Sequence, residues 1–366
     1  MKVLHVAETF KGGVATVINS LATYQINNKE IDSVEVIVPN EHISEITSVL
    51  KCNVTTFDRK KRGLISLINL GIVLYKKIKL YKPDIVHLHS TFAGFIGRIL
   101  ILFLFKNKNI KVVYCPHAFP FLMDSHKLKK TLYIKCEKIL ARYTSKIICV
   151  GESEYNDASL AGIPKDKMVV INNGVNIPEV TNQVNCNNCE EYVLLYVGRF
   201  DYQKGTDVFI DALKIIDKTA LDYKIKVIMI GEPVNDSVDY KNQKFKNIDL
   251  IFTGWINQEL LFEYYLKANC LVIPSRWEGL AMVPLEAISY KLPVIASNIS
   301  AFQTINSLSG LSFSNEDPAS LAKLLSSLND FDLNKIKDTL YDKVSTEYTQ
   351  ELMNEKTIVA YKNLIP

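Results

Sequence analysis

The 366-residue sequence predicts an α/β protein made of two doubly wound domains, each built on a parallel sheet. Three observations carry that prediction. Short, near-continuously apolar runs alternate with longer helical patterns, as in a parallel sheet covered on both faces. The alternation restarts at about residue 192, after a polar stretch at 178–191. The length also fits two domains of roughly 100–200 residues each.

In the first half, strands fit "KVLHVAE" (2–8), "VEVIVP" (34–39), "DIVHLHS" (84–90), "IKVVYCPH" (110–117), "SKIICVG" (145–151) and "MVVINNG" (168–174). Helices fit between them at 14–27, 64–80, 93–105 and 127–143. In the second half, strands fit "YVLLYVG" (192–198), "KIKVIMIG" (224–231), "IDLIFTG" (248–254), "CLVIPS" (270–275) and "PVIAS" (293–297). Helices there fit 205–219, 257–268, 284–291 and 318–329. The division expected is a domain at 1–178, a linker at 179–191, a second domain at 192–345 and a terminal helix at 346–366 that packs back on the first domain.

Composition narrows the class. Apolar residues make up 48% and charged residues 22%, as in a globular protein with full cores. The apolar run "TFAGFIGRILILFLF" (91–105) is interrupted by Arg98 and is too short to span a bilayer, so it reads as a buried helix. The N-terminus reads as a strand rather than a secretory signal, and a cytoplasmic location is expected. Seven scattered cysteines argue against a disulfide framework. Cys186 and Cys189 have CxxC spacing, but no second Cys/His pair lies nearby to complete a zinc site, so they read as inert.

Charge is uneven. Residues 1–178 carry 25 Lys/Arg against 14 Asp/Glu, a net of +11, and residues 179–366 carry 18 against 25, a net of −7. The first half is therefore expected to meet something anionic. It lacks the stacking aromatics of a nucleic-acid module, so no nucleic-acid partner is expected.

In doubly wound sheets, ligands sit beyond the C-terminal ends of the strands. After the first strand, Gly12 and Gly13 open a helix, where backbone can approach a ligand and helix amides attract anions; a plain tight turn is the other reading. The segment is not GxGxxG, so a nicotinamide or flavin site is not indicated. His117 ends the strand at 110–117, where an imidazole can act as base or donor. His87 and His89 share one strand face and, with no third ligand apparent, read as structural. After strand 192–198, Arg199 and Lys204 flank a turn and Gly205 opens a helix; two cations beside a helix N-terminus suit a diphosphate.

The stretch "SRWEGLAMVPLEAISYKLPVIAS" (275–297) holds two acids eight positions apart. Pro284 is tolerated only in a first turn, so a helix is expected from about 284, with Glu286 in that turn and Glu278 in the loop before it. Carboxylates accept paired hydrogen bonds from vicinal hydroxyls. Gly279 frees the loop, and the amides of Leu280 and Ala281 can face a phosphate or sugar oxygen. Together these groups suit a nucleotide-diphosphate sugar.

The residues "EGLAMVPLE", "VGRFDYQKG", "INNGVN" (171–176), the "KGG" loop and His117 resemble, in order and spacing over essentially the whole chain, the retaining GT-B glycosyltransferases of glycosyltransferase family 4. That resemblance implies two Rossmann-like domains facing across a cleft, the first for acceptor and the second for nucleotide sugar. It implies that Glu286 binds ribose hydroxyls, Glu278 a donor-sugar hydroxyl, and Arg199 and Lys204 the diphosphate. Gly13 would approach the donor phosphate, His117 would line the acceptor side and contact the donor sugar, and Gly254–Ile256 would pass the base. The family usually has Gly where Ala281 stands, which leaves the fit of the sugar open there. No metal or other cofactor is implied, because the two cations take a divalent ion's role; Asp330 and Asp332 lie in a polar segment between helices and are discounted as metal ligands.

The basic segments "DRKKRG" (58–63) and "SHKLKKTLYIKCEK" (125–138) mix lysine with apolar residues at helical spacing, a pattern suited to anionic lipid. The resulting expectation is a UDP-sugar-dependent hexose or N-acetylhexosamine transferase. It would be peripheral on the inner face of the cytoplasmic membrane, forming an alpha linkage on a polyprenyl-diphosphate-linked saccharide for O-antigen or capsule. A nucleotide-sugar epimerase of the same fold and a non-catalytic sugar-binding protein are the other readings.

Overall fold

A computed structural model describes the chain apart from residues 60–62, 106–108, 124–125, 180–186, 188, 235–237, 239 and 366. Cys186 and much of the expected linker lie outside the described residues. The chain forms two compact units, Met1–Gly174 together with Gln350–Pro366, and Val175–Thr349.

The first unit holds strands β1 Lys2–Ala7, β2 Ser33–Pro39, β3 Val54–Phe57, β4 Ile85–His89, β5 Lys111–Cys115, β6 Lys146–Cys149 and β7 Met168–Val170. They form one sheet in the order β3-β2-β1-β4-β5-β6-β7, with each neighbouring pair parallel. Helices α1 Gly13–Ile26, α2 Leu64–Tyr81, α3 Thr91–Leu104, α4 Lys127–Ala141 and α5 Glu152–Leu160 connect them. The order reverses between β1 and β4, the place where doubly wound sheets open a crevice for ligands.

Strand β4 is buried at every position, histidines included. Both faces of the strand are covered, so His87 and His89 are buried although they alternate with apolar Val86 and Leu88. Against this sheet lies α3, the apolar run of 91–105. No described helix is long and apolar enough to cross a membrane. Arg98 is 1% exposed. It donates to Glu137 through both terminal nitrogens at 2.8 and 3.0 Å, donates Nε–H to the Gly94 carbonyl at 2.8 Å, and lies 3.9 Å over the Tyr114 ring. Gly94 permits that approach: a Cβ there would lie 2.2 Å from Tyr114 Cε2.

The second unit holds β8 Glu191–Val197, β9 Lys224–Ile230, β10 Ile248–Gly254, β11 Cys270–Ile273, β12 Val294–Ser297 and β13 Ser312–Phe313 in the order β10-β9-β8-β11-β12-β13. Its helices are α6 Thr206–Ile216, α7 Gln258–Lys267, α8 Met282–Ser289, α9 Gln303–Ser309, α10 Pro318–Leu325 and α11 Leu333–Glu347. This sheet reverses between β8 and β11. Helix α12 Gln350–Lys362 returns to the first unit and packs on α1.

Several elements differ from the sequence reading. Strand β3, VTTF, has only two apolar residues and is mostly half-buried, and β13 has only two residues, so neither leaves an apolar run to read. The helix expected over 318–329 ends at Leu325 and passes into a 3₁₀ turn at Leu328–Asp330. The segment expected as one terminal helix contains the end of α11, a break, and α12. The break forms because Tyr348 and Thr349 engage Val175: its N–H donates to the Tyr348 carbonyl at 2.8 Å, and Val175 and Thr349 form an isolated parallel bridge.

Candidate functional site

In the second unit the β8–α6 turn and the β11–α8 loop meet at the reversal point. Tyr196, buried near the end of β8, anchors the turn: its hydroxyl donates to the Arg199 carbonyl at 2.9 Å and pairs with Thr206 Oγ1 at 2.9 Å. Gly205 starts α6 at φ 65, and a Cβ there would lie 1.9 Å from the Pro274 carbonyl oxygen. Only glycine meets both demands, so the turn lies directly against the end of β11.

That approach brings Lys204 onto Glu278, Nζ to Oε1 at 2.5 Å. Glu278 also accepts from Ser275 Oγ at 2.9 Å. Lys204, Ser275, Glu278, Ala281 and Pro284 line one pocket. Arg199 stands beside it with 44% of its side chain exposed, bonded to Asp201 at 3.1 Å and to Gln203 at 3.0 Å. Gly279 and Leu280 lead to Ala281, the N-cap of α8.

The two acids of 275–297 do not share partners. Helix α8 starts at Met282, two residues before the expected place, because Pro284 occupies a later position of the first turn, where its missing N–H also costs nothing. Glu286 is therefore in the second turn, outside the helix-end field expected for it. Tyr265 of α7 donates to it at 3.2 Å, and burial raises its pKa. Gly254 ends the edge strand β10 at φ 73 and its carbonyl accepts from Gly231 N at 3.0 Å, and Ile256 follows it.

Sequence reasoning missed Arg276. It donates to both carboxylate oxygens of Asp207 at 2.8 and 2.6 Å and to the Tyr202 carbonyl at 2.7 Å, and it lies 3.8 Å over the Tyr202 ring. It ties the turn carrying Arg199 and Lys204 to the loop carrying Glu278. Its partners lie about 70 positions away, so no local pattern marks it.

In the first unit, Gly12 caps α1 at φ 55 and Gly13 is its first residue. His117 follows β5. Both it and Ala118 adopt left-handed backbone, at φ 53 and 97, which is costly for residues with a Cβ and is retained where the surroundings enforce it. Glu154 of α5 does so: its carboxylate accepts from Ala118 N and Val150 N, each at 2.8 Å. Burial lifts the Glu154 pKa to about 7.

His87 and His89 were expected to have no third ligand nearby, and the structure supplies one. Parallel pairing of β1 with β4 sets His5 beside His87, and His117 reaches His89, so four imidazoles cluster. His5, His87 and His89, and also His89, Cys115 and His117, have ligand-type atoms within 4.8 Å of one another. The contacts His5 Nδ1–His89 Nε2 at 3.0 Å and His89 Nδ1–His117 Nε2 at 3.1 Å have hydrogen-bond lengths.

Residues 11–178 match Glycosyltransferase Family 4, and residues 180–335 match Glycosyl transferases group 1. The chain belongs to this glycosyltransferase family. A 41.2 kDa protein in the cps region of Klebsiella pneumoniae is 36% identical over 99% of this chain and 100% of its own. The Escherichia coli UDP-Gal:alpha-D-GlcNAc-diphosphoundecaprenol alpha-1,3-galactosyltransferase is 33% identical over 62% of this chain and 61% of its own. Among solved structures, Anabaena HepE in complex with UDP and glucose superposes with a TM-score of 0.75 at 16% identity, covering 99% of this glycosyltransferase and 100% of HepE. The two parallel-sheet units thus have the GT-B fold, and other relatives of this glycosyltransferase act in O-antigen and capsule biosynthesis.

Proposed function

We propose that this glycosyltransferase moves a hexose or N-acetylhexosamine from a UDP-sugar to a lipid-linked saccharide with retention, giving an alpha linkage in a surface polysaccharide. The observation that carries the reading is the meeting of Lys204 and Glu278 at the reversal point of the second sheet, with Arg199 on the same β8–α6 turn as Lys204. Arg199 and Lys204 take the diphosphate, with no divalent ion in that role, and the charge they supply stabilises the departing nucleotide. Glu278 holds a hydroxyl of the donor sugar, and Glu286 holds the ribose. The acceptor hydroxyl attacks from the face the diphosphate leaves, and a diphosphate oxygen takes its proton. The first unit takes the acceptor, with His117 lining the acceptor side and meeting the donor sugar, while Gly13 approaches the donor phosphate. The galactosyltransferase relative, named for a UDP-sugar donor and a diphosphoundecaprenol-linked acceptor, supports the substrate classes.

The experiment is a panel of nucleotide sugars scored by thermal unfolding, followed by transfer of label from the active donor to a polyprenyl-diphosphate saccharide. A donor at 100 times its Kd adds about 2.7 kcal/mol of stability. A panel in which no nucleotide sugar raises the midpoint overturns the reading.

The same proposal places the enzyme on anionic membrane at the inner face. Leu64 and Ile65 on α2 are 75% and 76% exposed, and Leu128 on α4 is 76% exposed amid Lys127, Lys129 and Lys130. Apolar residues set among lysines suit insertion beside acidic headgroups. In flotation, the protein is expected to rise with vesicles containing anionic lipid and to be released by salt. Its absence from the floating fraction at low salt refutes membrane docking.

A further inference from the structure

We infer that His5 and His89 are positioning residues for His117: with Gln25 they form a one-way hydrogen-bond chain that commits the His117 Nε2 proton inward and leaves Nδ1 as a bare acceptor for a substrate hydroxyl. The inference rests on the proposed reading that His117 meets substrate, and it adds what prepares that ring.

The chain runs His117 Nε2 to His89 Nδ1 at 3.1 Å, His89 Nε2 to His5 Nδ1 at 3.0 Å, and His5 Nε2 to Gln25 Oε1 at 2.8 Å. Its direction follows from its last member. An amide oxygen only accepts, so His5 carries its proton on Nε2 and presents a lone pair at Nδ1. His89 must then donate through Nε2 and accept at Nδ1, and His117 must donate through Nε2. Among the described residues, His117 Nδ1 has no hydrogen-bond partner. Reversing the Gln25 amide would reverse every proton and turn Nδ1 of His117 into a donor, so a residue of α1 decides which kind of sugar oxygen or hydroxyl this ring can recognise.

The chain works only with neutral rings, because an imidazolium has two donors and would set N–H against N–H. Burial enforces this: His5 and His89 are both 0% exposed, and their pKa values are lowered, that of His5 to about 4. His117 is likewise lowered to about 4 by burial. Apolar side chains would fill a sheet interior at lower desolvation cost than two buried imidazoles and an amide. The chain also joins β1, β4 and the strained His117–Ala118 turn at the reversal point of the first sheet. Glu154 fixes the backbone of that turn, and the histidines fix the ring. His87 stands outside the chain, its Nδ1 facing the Tyr361 hydroxyl at 2.6 Å.

The test is ¹⁵N-histidine NMR of the full chain, with His117 assigned by its loss in His117→Gln, alongside steady-state kinetics. In the native protein at neutral pH, His117 is expected to be protonated at Nε2 and bare at Nδ1. His5→Leu, which removes the acceptor for His89, is expected to give a mixed His117 tautomer and to lower kcat/KM by about tenfold, the scale of one misdirected hydrogen bond. His5→Asn, whose Oδ1 can stand where Nδ1 was, is expected to restore both. If His5→Leu fails to fold, Gln25→Leu gives the same readout from the chain's end.

A His117 protonated at Nδ1, an unchanged His117 signal in both breaking variants, or a stoichiometric transition metal bound to metal-supplemented protein overturns the inference. The tautomer is read without activity. Predicted tautomers together with full transfer by His117→Gln would defeat the catalytic reading of His117, and with it the claim that the chain prepares a substrate contact.

Discussion

Alanine at Lys204 lowers kcat by about 100- to 1000-fold, and alanine at Arg199 has an effect of the same order, the scale of losing one preorganised group that stabilises transition-state charge. On the proposed reading, negative charge grows on the leaving diphosphate as the sugar bond breaks, so these cations would bind the transition state more tightly than the ground state. The loss belongs in kcat, whereas a purely ground-state role would raise KM and leave kcat alone. Lys204 is held by Glu278 at 2.5 Å and Arg199 by Asp201 at 3.1 Å, so on this reading both carboxylates share their cations with an arriving diphosphate or yield them to it. Arg199→Lys keeps the charge but loses the planar fork, and it is expected to recover only part of the activity. Lys267→Ala, on the exposed face of α7 and paired with Glu263, serves as the control and leaves kcat unchanged. Steady-state kinetics with the active donor decide the matter. A Lys204→Ala enzyme within tenfold of the native kcat defeats the assignment.

The largest effect on stability is expected at Arg98. Its side chain is 0% exposed and that of Glu137 is 5% exposed. Removing either partner leaves a buried charge without its counterion, which costs about 3–5 kcal/mol. Arg98→Ala and Glu137→Ala should each lower the denaturant midpoint of the first unit by a similar amount. The double variant Arg98→Met/Glu137→Leu should regain most of the loss, because apolar side chains of similar volume replace a buried pair at little net cost. Urea unfolding followed by tryptophan-independent circular dichroism measures all three. Single variants within about 1 kcal/mol of the native protein, the range of an exposed pair, refute the expectation.

The parts of this architecture that were legible in the sequence are those whose cause is local. Long apolar strands such as "YVLLYVG" announce burial on both faces, and Gly205 before α6 announces a turn. The meeting of Lys204 and Glu278 was legible because each follows a strand, and strand ends in such sheets share one edge. Glu286 shows the limit of that logic. A proline restricts a helix start to one turn, not to one residue, and two residues moved the acid out of the first turn. Arg98 looked like a flaw in an apolar helix because its partner, Glu137, lies 39 positions away. His5 was invisible as a neighbour of His87 because pairing register depends on sheet order, and the reversal between β1 and β4 is a property of the whole unit. Arg276 was missed for the same reason, and so was the hold of Glu154 on the Ala118 turn, 36 positions away.

Helix α12 has a consequence for how the polypeptide is made. The first unit draws on Met1–Gly174 and on Gln350–Pro366, so the ribosome must translate the whole intervening unit before the first can be closed. Until then the nascent chain lacks the fully buried Tyr361, whose hydroxyl covers His87. The half that is translated earliest is thus sealed latest, and the wait is set by translation speed rather than by the folding rate of its own sheet.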